Sequence, residues 1–89
     1  MKPEQARAVL NQALLDIVPD ALPEALPDDA DLRQELELDS LDFVELVERL
    51  SARLGARIEE DDYPQLRTMG SAVAFLAGRS EPAARRRSS

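Results

Sequence analysis

A chain of 89 residues with 18 acids against 11 lysines and arginines, a formal charge of −7, makes one small acidic domain. It has no cysteine and no histidine, which excludes disulfides, zinc ribbons and thiol catalysis and removes the usual general base and the commonest metal ligand. The charge is uneven, with thirteen acids and four arginines in residues 28–62, and so acidic a middle opposes nucleic-acid phosphates and favours steering toward basic protein surfaces.

Aromatic residues are few (Phe43, Tyr63 and Phe75), so a core must come from Leu, Val, Ile and Ala. Met1-Lys2-Pro3-Glu4-Gln5 carries no apolar core of a signal peptide, and no run is long and apolar enough to span a membrane. The expectation is a cytoplasmic protein without membrane insertion. Pro3 suits a first helical turn. Ala6, Val9, Leu10, Ala13, Leu14 and Ile17 then keep a three–four rhythm, which predicts a first helix to about Ile17.

Pro19, Pro23 and Pro27 follow, one every fourth residue. Proline lacks the amide proton and restricts its predecessor, so a regular helix is not expected there. The spacing predicts a long connection to Leu38, pinned by Leu22, Leu26, Leu32, Leu36 and Leu38, with a short helical turn near residues 29–33. Asp28, Asp29 and Asp31 lack the glycine and glutamate of a calcium loop and read as solvated loop charge.

A second helix is expected over residues 40–54. Phe43, Leu46, Val47, Leu50 and Leu54 form its apolar stripe. Asp39 and Ser40 are both good N-cap residues. If Asp39 caps, the Ser40 hydroxyl is left without a structural task at the positive end of the helix, where a covalently attached phosphate is well placed. Phe43, three residues on from Ser40, is not the Glu or Gln of a capping box, so capping by Ser40 does not explain the motif. Glu45–Arg49 is an attractive i,i+4 pair and Arg49–Arg53 a repulsive one. Gly55 supplies a left-handed C-cap, with Ile58 folding back on the helix end.

An acidic connection follows, with a short third helix around residues 61–66 weakened by Pro64. Thr68 is a natural N-cap for a last helix whose buried side is Met69, Ala72, Val73, Phe75 and Leu76 and which Gly78 is expected to end. Residues 80–89, with three consecutive arginines and Pro82, read as a disordered basic tail, which leaves 1–79 as the domain.

Asp39-Ser40-Leu41, followed by Asp42-Phe43-Val44-Glu45-Leu46-Val47, resembles the prosthetic-group motif of acyl carrier proteins, and the similarity runs from about Val9 to Leu76. The resemblance implies an all-α, four-helix bundle, three main helices and one short one, with a long first loop. It implies that Ser40 is esterified by 4′-phosphopantetheine, delivered from coenzyme A by a phosphopantetheinyl transferase, and that acyl groups ride on the arm as thioesters. It implies a monomer that is a carrier rather than an enzyme. Its partners would be acyl-loading and acyl-transferring enzymes of fatty acid, polyketide or specialised lipid synthesis, meeting a face made of Asp39, Leu41, Asp42, Val44, Glu45 and Glu48. The chain departs from the family at Glu37, where many carriers have glycine, and at Arg49, Ser51 and Arg53, where fatty-acid carriers tend to be acidic or neutral. Asp39 stands where peptidyl carriers usually have histidine.

Two other readings bear on the same residues. A catalytic Ser40 needs a base, and the chain has no histidine, a single lysine at Lys2 and no Gly-x-Ser-x-Gly elbow. If Ser40 only caps, the protein is an unmodified acidic helical interaction module. Leu41 and Val44 lie off the core stripe, either as half-buried edge residues or as an apolar patch with a charged rim suited to transient contacts.

Overall fold

A computed structural model describes residues 1–79; the basic tail expected at 80–89 lies outside them. Helix α1 spans Pro3–Ile17, α2 Leu32–Glu35, α3 Ser40–Leu54 and α4 Met69–Arg79, with 3-10 turns at Pro23–Ala25 and Glu60–Leu66. The described residues contain one isolated bridge, Asp31 with Thr68, and otherwise no strand pairing. None of their helices is long and apolar enough to cross a membrane. The all-α expectation holds, with three main helices, a very short α2 in the long first loop, and a 3-10 segment where the short third helix was expected.

Helix α1 packs against both α3 and α4. It contributes Ala6, Leu10, Ala13 and Leu14 to the core, and α3 contributes Phe43, Leu46, Val47 and Leu50. The three–four spacing selects all of these, and also Val9, Ile17 and Leu54, which are only partly buried against the core. Leu10, Leu14, Leu32, Leu46, Leu50, Leu66, Met69 and Leu76 are fully buried, and every buried residue among those described is apolar. A domain of this length holds only about 0.05–0.15 kcal/mol of stability per residue, and truncating one buried leucine costs roughly 2–5 kcal/mol. Each large core residue therefore carries a sizeable share of the fold.

The first loop is pinned as expected by Leu32 and Leu38, which are buried, and by Leu26 and Leu36, which are partly buried against the core, but not by Leu22. Leu22 is 72% exposed and pins nothing. Arg7 of α1 also holds the loop, donating from Nη2 to the carbonyls of Leu26 at 2.8 Å and Pro23 at 3.4 Å, and from Nη1 to Asp28 Oδ1 at 3.3 Å. The loop's far end is sewn to the start of α4 by backbone bonds. Leu32 N donates to Arg67 O at 2.8 Å, Met69 N to Ala30 O at 3.0 Å and Gly70 N to Asp28 O at 2.7 Å. A Cβ on Gly70 would lie 3.0 Å from Asp28 Cβ and 3.1 Å from its carbonyl oxygen, so glycine at that position permits a close approach.

The short helix of the loop starts at Leu32, slightly later than expected, because Asp31 caps it by accepting from Gln34 N at 3.0 Å. Two helices end on left-handed residues. Gly55, with φ +69°, follows α3, where Ala56 N donates to Ser51 O at 3.2 Å. Glu37, with φ +54°, follows α2, where Leu38 N donates to Arg33 O at 2.9 Å. Both are the same reversal with a six-to-one hydrogen bond. Glutamate therefore occupies a conformation that favours glycine.

Three local expectations need correction or refinement. Gly78 does not end α4: its φ is not positive, and the helix continues to Arg79. Pro64 sits inside the second 3-10 turn; i→i+3 closure there accommodates it, with Arg67 N donating to Pro64 O at 3.3 Å. Arg49 and Arg53 do not simply repel. Asp16 of α1 lies between them, its Oδ2 3.5 Å from Arg49 Nη1 and 3.0 Å from Arg53 Nη2.

Candidate functional site

The site begins with a cap. Asp39 is extended, with φ −87° and ψ −174°, and its carboxylate accepts from Asp42 N at 2.8 Å. Asp42 returns the contact, its Oδ2 accepting from Asp39 N at 3.4 Å. Two orphan amides at the start of α3 are thus satisfied reciprocally. Phe43 N donates to Asp39 O at 2.9 Å as the first helical bond. Asp39 and Asp42 do the capping, so Ser40 has none to do. It is exposed, and its hydroxyl has no protein partner among the described residues. The hydroxyl stands on the first turn of a fifteen-residue helix, whose aligned dipoles and unsatisfied amides favour an anion there.

The exposed apolar patch is present. Leu41 is 79% and Val44 44% exposed, so the patch reading fits better than the half-buried edge. Glu48 follows on the same face at helical spacing and is exposed. The other acids of the expected partner face are partly engaged. Asp39 and Asp42 bind the helix start, and Glu45 Oε2 accepts from Arg49 Nη2 at 2.8 Å and Nε at 3.1 Å. That hydrogen bond is the main cause raising the Arg49 pKa.

Ser40 also lines a groove of about 680 Å³, which the sequence did not reveal. One wall is Phe43, Val44, Tyr63 and Pro64, and Arg33 and Arg67 bring positive charge to it. Phe43 and Tyr63 meet edge to face, with centroids 5.3 Å apart. The Arg33 guanidinium lies 5.1 Å from the centre of the Phe43 ring, within cation–π range. Arg67 Nε donates to Asp31 Oδ2 at 3.2 Å. The Asp31 carboxyl is held below the usual range, chiefly by the Gln34 amide and next by Arg67. No pattern of spacing could have found these contacts, because Arg33 lies on α2, Phe43 on α3, and Tyr63 and Arg67 on the second 3-10 turn and its end.

Chemically, the arrangement offers an alcohol without an adjacent base. The carboxylates next to it are occupied with amides, and the chain has no histidine. Such a serine lacks the neighbouring base that a nucleophilic serine uses.

Residues 12–76 match a protein-family model described as a phosphopantetheine attachment site; the matched span includes Ser40. An acyl carrier protein of Lactobacillus johnsonii is 44% identical over 48 residues, covering 54% of this chain and 60% of that protein. An acyl carrier protein of Saccharopolyspora erythraea is 43% identical over 47 residues, covering 53% of this chain and 50% of that protein. One from Chlamydia trachomatis is 37% identical over 57 residues, covering 64% of this chain and 74% of that protein. The alignments with the first two thus span between half and three-fifths of those proteins.

Proposed function

The chain belongs to the acyl carrier protein family, and from that premise we propose that Ser40 is its attachment point for 4′-phosphopantetheine. One observation carries this reading: the Ser40 hydroxyl is exposed and unpartnered at the start of α3 while Asp39 and Asp42 do the capping. In the modification, the Ser40 oxygen forms a bond to the phosphorus nearer the pantetheine of coenzyme A. The pyrophosphate bond breaks, the adenosine bisphosphate half leaves, and the serine proton passes to the transferase. The bound arm supplies a thiol that holds an acyl group as a thioester.

The chain's own residues do the rest. The start of α3 offsets the new negative charge, and the cap fixes the direction in which Ser40 points. Leu41 and Val44, rimmed by Asp39, Asp42, Glu45 and Glu48, form the face that meets the transferase and the acyl-loading and acyl-transferring enzymes. An exposed apolar centre with an acidic rim supports this, since such a surface favours fast, reversible contact with basic partners. We further propose that the protein works as a cytoplasmic monomer in fatty acid, polyketide or specialised lipid synthesis.

Incubation with a broad-specificity phosphopantetheinyl transferase and a fluorescent coenzyme A tests the site. The wild-type chain takes the label and Ser40→Ala does not, while helicity is unchanged. A Ser40→Ala chain that is still labelled refutes the assignment.

A further inference from the structure

We propose that the groove beside Ser40 is a subsite for a tethered half-acid, an acyl group whose free end is a carboxylate, held there by Arg33 and Arg67. The proposal deepens the carrier reading and rests on it, since Ser40 is the tether that delivers the cargo.

The first observation is the sign of the charge. The chain carries −7 overall, yet the groove's charged lining is two arginines against Asp31 alone. The second concerns Arg33. Arg7, Arg49, Arg53, Arg57 and Arg67 each pair with a carboxylate. Arg33 has no such partner among the described residues, although acids outnumber bases. It is placed instead over the Phe43 ring. A guanidinium in contact with a ring and with no carboxylate partner keeps N–H donors for a planar anion. The third observation is spare capacity at Arg67. Its Nε serves Asp31 at 3.2 Å, and its side chain is 75% exposed, so its terminal nitrogens remain available.

These features match the two ends of one ligand. The ring and aliphatic wall of Phe43, Val44 and Tyr63 accepts methylene groups, and the guanidiniums accept the carboxylate through charge-assisted bonds. A cargo linked through Ser40 is present at high effective concentration, so a shallow, open groove suffices. The phosphodiester formed at Ser40 already has the start of α3 as its counter-charge, which leaves the arginines for the far end. An uncharged acyl group of the same length gains the wall but not the guanidiniums.

The full chain is loaded by the transferase in three forms, from succinyl-coenzyme A, butyryl-coenzyme A and coenzyme A itself, with completeness checked by intact mass. Proton–nitrogen NMR then follows the Nε–H signals of Arg33 and Arg67 and the Tyr63 amide. The succinyl form shifts these signals relative to the other two. The shift is lost in Arg33→Gln and reduced in Arg67→Gln, both exposed positions whose loading stays complete. A fully loaded succinyl form indistinguishable from the butyryl form overturns the proposal, as does a bare arm that already produces the whole shift. Absence of loading in the wild type is a failure of the Ser40 assignment instead. In that case monomethyl succinate is titrated into the unmodified chain to the millimolar range that a tether provides: a saturable shift of the Arg67 Nε–H and Tyr63 amide signals that Arg33→Gln removes supports the subsite, and no shift overturns it.

Discussion

Replacing Glu37 by glycine should stabilise the domain. Glu37 has φ +54° and is the one non-glycine residue with positive φ among the described residues; Gly55 plays the same part after α3 at +69°. In that region a Cβ crowds the following carbonyl at a cost of roughly 1–2 kcal/mol. Glycine removes this cost but gives the unfolded chain extra freedom worth about 0.5–1 kcal/mol. The difference favours glycine by about 0.5–1 kcal/mol, which raises the melting temperature of a domain this small by roughly 2–8 °C. The assay is thermal unfolding of the wild type, Glu37→Gly and Glu37→Ala in one buffer. Alanine removes the carboxylate but keeps the Cβ, so it separates backbone relief from the loss of one negative charge near Asp39. A Glu37→Gly melting temperature at or below wild type refutes the argument, and so does an alanine variant that gains as much as glycine.

Further predictions rest on other contacts. Gly70→Ala destabilises by about 1 kcal/mol in denaturant titration despite alanine's higher helix propensity, because the new Cβ meets an Asp28 backbone that Gly70 N itself holds at 2.7 Å; a gain in stability contradicts the close approach. Asp31 has a folded-state pKa below its ordinary value, so its contribution is complete above about pH 4 and is lost as pH falls through the folded value. Asp31→Asn therefore melts below wild type at neutral pH, with the gap closing in acid; a gap constant with pH contradicts the assignment. Leu41→Ala, at a 79% exposed position, leaves stability within about 0.5 kcal/mol but slows acyl loading, measured as initial rate beside melting temperature. Glu45→Lys slows loading more at low than at high ionic strength, and unchanged loading at low salt counts against an acidic docking face.

The start of α3 was legible because its signals are local. Phe43, Leu46, Val47 and Leu50 mark the buried face by spacing alone, and Asp39 lies where its carboxylate reaches an amide three residues on. The same helical wheel puts Leu41 and Val44 off the core stripe, but only the structure shows them exposed. The first loop is legible only in part: Leu32 and Leu38 are buried anchors as expected, but its other ties are distant in sequence. Arg7 reaches carbonyls 16 and 19 residues away, and residues 28–32 bond to 67–70 through backbone groups that every residue carries. Leu22 looked like an anchor because it is apolar, but once Arg7 and the backbone bonds hold the loop, no burial of that side chain is needed. Gly70 meets Asp28, a contact that no local pattern signals. Glu37 departs from the glycine of many carriers, and its left-handed backbone shows what glycine would relieve. The pairing of Arg33 with Phe43 has no signature in spacing, since it arises only when α2 and α3 are brought together.

The measurement that bears most directly on the carrier reading is fragmentation mass spectrometry of the chain isolated from the cells that make it. The account predicts a 4′-phosphopantetheine arm confined to the peptide that contains Ser40, with an acyl group released from it by mild base. An unmodified Ser40 in the presence of an active transferase, or the arm on a different side chain, contradicts it.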